Sequence, residues 1–183
     1  MRTLALIAVL LATPALAQSR PDPKQAELNQ MLDALALAPT PEIAARIEAR
    51  ISAAWAEQGG PTAAMMMAHG LRNLHEGATD DAVADLDSVL VLEPDLPEAF
   101  VRRGAARYGA GDINGALRDL QAALAREPRQ FEALKLLSHL AEAQGNARAA
   151  LDAWRQLLAI DPRTEDAQKR LAELTKQVEG EES

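Results

Sequence analysis

"LEPDLPEAF", residues 92–100, sets Pro94 and Pro97 three positions apart between stretches patterned as helix. Proline has no backbone N–H and clashes with the preceding turn, costing about 3 kcal/mol in a helix interior. The stretch is therefore a boundary. The same punctuation returns as "REPRQFEAL" (126–134) and "IDPRTEDAQ" (160–168). Pro94, Pro128 and Pro162 recur every 34 residues. A chain that interrupts its helices at a fixed period is an array of repeats.

Working outward from these prolines, the chain divides into units 63–96, 97–130 and 131–164. Position 8 of each unit is Gly70, Gly104 and Ser138, and position 20 is Ala82, Ala116 and Ala150. Small residues facing each other let two antiparallel helices approach closely. Position 15 is Gly77, Gly111 and Gly145. Glycine there suits the left-handed conformation that closes a first helix. Leu86, Leu120 and Trp154 at position 24 fill the space between helices, with Leu90, Leu124 and Leu158 at position 28. The proline at position 32 stops the second helix from running into the next unit.

These positions, in register over about 102 residues, resemble the tetratricopeptide repeat (TPR). The resemblance implies an all-α, right-handed α-solenoid of antiparallel helix pairs, with three TPR-like units. The chain departs from the pattern at position 4, where only Phe100 is aromatic against Met66 and Leu134, and at position 11, where Asn73, Arg107 and Ala141 replace tyrosine. Residues 165–183 read as a capping helix, over 165–176, and a frayed acidic tail. Segment 41–74 also resembles secreted alphaproteobacterial TPR proteins, in which a helix ending near a tryptophan and a Gly-Pro turn precede the first clear repeat.

Ahead of the repeats, residues 1–17 carry one basic residue, Arg2, an apolar run from Leu4 to Ala12, and Ala15-Leu16-Ala17. This is the layout of a cleaved secretory signal peptide, too short in its apolar run to span a bilayer. It predicts a periplasmic protein with no stable membrane anchor after cleavage. Residues 18–26 read as a flexible leader and 27–62 as an N-terminal helical pair. Leu28, Met31, Leu32 and Leu35 mark one helix; Thr40 as cap, Pro41 in the first turn, and Ile43, Ile47, Ile51 and Trp55 mark the other.

The 183 residues include no cysteine, 25% are charged, and the net charge is −8. Disulfides and thiol nucleophiles are excluded, and there is no general attraction to nucleic acid. The three histidines offer no catalytic or metal pair: His69 and His75 are six apart, on different helix faces, and His139 is two units away. No enzyme activity and no cofactor are expected. "MMMAHG" (65–70) raises a periplasmic copper-binding alternative through the Met65–His69 cluster. Against it, three consecutive helical residues cannot all face one ion.

The family's concave face is lined by positions 2, 5, 9, 12 and 13 of each first helix, with 33 and 34. The resemblance places Met67, Leu71 and Leu74 at an apolar end of a peptide-binding groove. Val101 and Tyr108 follow in the middle, and Arg129, Lys135, His139 and Arg163 give a basic far end. Met67 and Leu71 stand where the chaperone-tail binders of the family carry a carboxylate clamp. The reading is a non-catalytic protein- or peptide-binding adaptor or scaffold, with a partner that has an apolar part and an acidic part.

Overall fold

The computed structural model describes residues 22–181. Among the described residues there are nine helices and no strand. They are α1 (Pro23–Ala36), α2 (Pro41–Glu57), α3 (Gly60–His75), α4 (Thr79–Leu92), α5 (Pro97–Gly109), α6 (Ile113–Arg126), α7 (Phe131–Ala143), α8 (Ala147–Ile160) and α9 (Ala167–Glu181). The expected signal peptide lies outside the described residues. Among those described, no helix is long and apolar enough to cross a membrane.

The repeat grammar determines the packing. Pairs α3–α4, α5–α6 and α7–α8 fold against themselves; α5 and α7 follow the breaks at Pro94 and Pro128, and α3 carries Pro61 in its first turn. Gly77, Gly111 and Gly145 have φ of +79°, +82° and +71°, so all three turns use the left-handed region where a side chain would be strained. The small residue at position 8 meets its partner helix closely. A Cβ on Gly104 would stand 3.3 Å from Leu120 Cγ and 3.4 Å from the Ala116 carbonyl oxygen, and Gly70 meets Leu86 and Ala82 in the same way. In the third unit Ser138 uses that proximity: its hydroxyl donates to the Ala150 carbonyl at 3.0 Å. Ala82, Ala116 and Ala150 are fully buried, as are Leu86 and Leu120, while Trp154 is 2% exposed.

The first two units also carry a polar seam between their helices. Asp119 (α6) accepts from Arg103 Nε at 2.9 Å, Arg103 Nη2 at 2.6 Å and Arg107 Nη1 at 2.8 Å, all from α5. One unit earlier, Asp85 (α4) lies 2.6 Å from His69 Nδ1 and accepts from Asn73 Nδ2 at 2.7 Å, both from α3. The position-11 residues that depart from the family pattern, Asn73 and Arg107, are thus partners of position 23.

Both ends differ from expectation. The leader is helical from Pro23, because Asp22 caps the helix through Lys24 N and proline suits its first turn. The C-terminal helix continues to Glu181, since Val178 packs on the core that Leu174 enters fully buried. As the cap, α9 packs on α8 and its Ala167 carbonyl accepts from Trp154 Nε1 at 3.1 Å.

Candidate functional site

The N-terminal pair does more than precede the repeats. Besides touching α3, α2 packs against α5, and α1 packs against α8 of the last unit. The apolar stripe on α2 explains the seat. Ile51 and Trp55 are fully buried, and the Trp55 ring lies 5.1 Å from the Phe131 ring of α7. Leu28, Leu32 and Leu35 of α1 join the same core as Leu134, Trp154 and Leu157. Ile43, at the start of the stripe, stays 40% exposed.

Polar contacts fix the pair in place. Arg129 donates to Asp33 Oδ1 at 2.9 Å and to Asn29 Oδ1 at 2.5 Å, both on α1. Arg163 Nε donates to the Ala38 carbonyl at 3.2 Å. Ser52 on α2 donates to Glu132 Oε1 at 2.7 Å. Glu132 in turn pairs with Arg102 at 2.9 Å, and Arg102 Nε donates to Glu98 Oε1 at 2.6 Å. Gln130 Nε2 donates to Glu98 Oε2 at 2.8 Å. Glu98 is 1% exposed; burial pushes its carboxyl up to about 7 against the pull of Arg102, with Glu132 adding to the rise.

Between α2 and the first helices of the second and third units an open cleft of about 590 Å³ remains. Ala45, Glu48, Ala49 and Ser52 form its α2 wall. Val101, Arg102 and Ala105 face them from α5, and Phe131, Glu132, Lys135, Leu136 and His139 from α7. The cleft is apolar at its walls and ringed by charge. His139 is held below the ordinary imidazole value by desolvation first, then by Arg170 and Lys135.

Of the groove residues read from sequence, the structure brings Val101, Lys135 and His139 together in this cleft. Arg129 and Arg163 bind the chain's own N-terminal pair. Met67 requires a correction: it is 2% exposed and packs in the core with Ala63, Leu86, Leu90 and Leu96, so it does not face a groove. Leu71 and Leu74 are half-buried on α3, and Tyr108 is exposed near the end of α5; none of the three lines the cleft. Sequence reasoning missed Glu48, Ser52 and Arg102. The small residues Ala45, Ala49 and Ser52, spaced along one side of α2, were the available signal that this side approaches another surface. In the methionine cluster, Met65 is 69% exposed while Met67 is buried, and His69 is directed to Asp85. Among the described residues no group of three or more histidine or carboxylate side chains could hold a metal ion.

Neither a protein-family model nor any curated protein matches the sequence. Solved structures do. The first TPR of Spaghetti (RPAP3), bound to the HSP90 peptide SRMEEVD, superposes with a TM-score of 0.60 at 17% identity, over 64% of this chain and 93% of that one. MamA protein superposes with a TM-score of 0.59 at 18% identity, over 85% of this chain and 83% of that one. The chain has the TPR fold. A third TPR-fold likeness is the type III secretion chaperone SycD of Yersinia enterocolitica, in complex with a peptide of the translocator YopD. Its TM-score is 0.54 at 12% identity, over 63% of this chain and 88% of that one. In this chain the first helices of the second and third units meet an N-terminal hairpin across the cleft.

Proposed function

We propose that the protein is an exported, non-catalytic adaptor or scaffold that binds a protein or peptide segment in the cleft between α2, α5 and α7. The observation that carries this reading is the cleft: about 590 Å³, walled by Val101, Ala105, Phe131 and Leu136 and edged by Glu48, Arg102, Glu132 and Lys135. Apolar walls with a few fixed charges suit a short peptide segment, which gains from burial and is oriented by the charges. Two of the structural neighbours hold peptides, which supports the class of ligand. The basic side chains at position 33 are engaged by α1 and its following turn, so the partner's charge is read by Arg102, Lys135 and the carboxylates instead.

A photo-crosslinking residue at Ala105 tests the site, with one at Val91, which is 85% exposed on α4, as the comparison. In extract from the native compartment, Ala105 should capture a discrete protein band and Val91 should not. Capture from Val91 alone would move recognition out of the cleft. The export part of the reading rests on residues 1–17; protein isolated from its native compartment should begin at Gln18.

A further inference from the structure

Lys135 and His139, one turn apart on α7, stand between two recesses. On one side is the cleft against α2 and α5; on the other is a recess of about 310 Å³ against α9. Both side chains line both. Trp154 also lines the second recess, with Lys169, Arg170 and the carboxylates Glu165, Asp166 and Glu173. Lys169 and these carboxylates are exposed and form its rim, whereas the Arg170 side chain is 19% exposed and pairs with Glu142.

The basic residues of this face divide by what they already hold. Arg102 is shared by Glu98 and Glu132, Arg129 is held by Asp33 and Asn29, and Arg163 by the Ala38 carbonyl. Half-buried Lys135 is different: among the described residues it makes no hydrogen bond or ion pair, and it acts on Glu48 and Asp161 only at longer range. His139 makes none either. Its imidazole is held below the ordinary value by desolvation, then by Arg170 and Lys135, so the charges that act on it are both cations. A spare ammonium beside a second cation is where an anion from outside gains most. Glu165, Asp166 and Glu173 limit that anion. They outnumber Lys169 on the α9 rim and repel a further negative charge there.

We propose that the partner presents an extended segment across Lys135 and His139, with an apolar side chain in the cleft, a single carboxylate on these two, and a basic residue at the α9 rim. The proposal rests on the cleft being the binding site and names the chemistry of what binds there. The two recesses are separated by the width of one helix, about 10 Å. An extended chain covers that distance in about three residues. The apolar and basic side chains therefore fall about three positions apart, with the acid between them. Val101, Phe131 and Leu136 receive the first, and Glu165, Asp166 and Glu173 the last. On the cleft side, Glu132 is taken by Arg102 and Ser52, and Glu48 on the α2 wall keeps a second acid out. A run of acidic residues would meet carboxylates at both ends and be repelled.

Random peptides displayed on phage and selected on the immobilised full chain supply the test. Enriched sequences should place Asp or Glu between an apolar and a basic residue within about four positions, and acidic runs should be depleted. A synthetic peptide of the commonest enriched sequence should bind folded Lys135→Met at least about 10-fold more weakly than the parent, and Lys135→Arg nearly as well as the parent. Its carboxylate offsets the two cations at His139, so binding should move the His139 titration, followed by NMR, to higher pH. Enrichment with no acid in that place overturns the inference. So does a peptide that binds folded Lys135→Met like the parent, or one that leaves the His139 titration where it was. Apolar peptides without the acid, lost in Ala105→Arg, would sink the inference and keep the cleft as the binding site. Peptides that still bind Ala105→Arg would place recognition elsewhere. A selection that enriches nothing also overturns the inference, and crosslinking from Ala105 then decides the cleft alone.

Discussion

The second and third repeat units share a backbone and differ in what holds their two helices side by side. In the second, positions 7, 11 and 23 are Arg103, Arg107 and Asp119, an ionic cluster in which the Asp119 side chain is 4% exposed. In the third the same positions are Leu137, Ala141 and Ala153, and Ala141 and Ala153 are buried. The close approach at positions 8, 20 and 24 is common to both. That contact sets the helix spacing, and the seam accepts either chemistry provided its three positions agree. Removing water from ions costs several kcal/mol each, so the charged version is sound only when complete.

The largest effect should come from the third unit's own filler. Trp154→Ala removes a buried ring and its bond to Ala167, and should cost about 3–5 kcal/mol in a denaturant or thermal melt. Asp119→Ala should follow in the second unit at about 2–4 kcal/mol, because Arg103 and Arg107, themselves mostly covered, lose their shared acceptor. Ala116→Leu should overpack the contact with Gly104 and cost about 1–3 kcal/mol; an unshifted melt would show that position 20 does not set the spacing. Asp85→Ala, in the more exposed seam of the first unit, should cost only about 0.2–1 kcal/mol. Smallest of all should be the triple change Arg103→Leu, Arg107→Ala, Asp119→Ala, which writes the third unit's seam into the second. Its melt should fall within about 1 kcal/mol of the parent, far less than Asp119→Ala alone. A triple variant as unstable as the single one would mean that the units are not interchangeable at this seam.

The second unit also carries a pH response. Glu98, at position 2, is pushed by burial from its ordinary 4.5 to about 7. A carboxyl raised in the folded state gives stability that is full below about 4.5 and lost as pH rises through about 7. Melts across that window should decline in the parent and flatten in Glu98→Gln.

The repeats were legible because each signal is local and occurs three times. Proline at 32, glycine at 15 and the small residue at 8 each act within one unit, and the observed turns, φ angles and contacts follow. The seam was also written there, in the joint change of 7, 11 and 23, although the position-11 residues looked like departures when read singly. The seat of the N-terminal pair left no such trace. It depends on contacts such as Arg129 with Asn29 and Arg163 with Ala38, far apart in the chain and made once. Of the basic residues read as the far end of a groove, Arg129 is engaged by Asp33 and Asn29 of α1 and Arg163 by the Ala38 carbonyl, while Lys135 lines the cleft. Met67 was misplaced for a related reason: the family pattern puts position 5 in the groove, and in the first unit that residue is 2% exposed in the core with Ala63 and Leu86.

The meeting of α1 with α8 changes what kind of object the array is. A simple solenoid can gain or lose a unit, because each one touches only its neighbours, and it can fray inward from either tip. Here the first described helix grips the last unit, and a further repeat inserted between them would pull that grip apart. The repeat number is locked by the molecule's own closure. Unfolding should be correspondingly all-or-none, and folding slowed by the long loop that must close before α1 finds its seat.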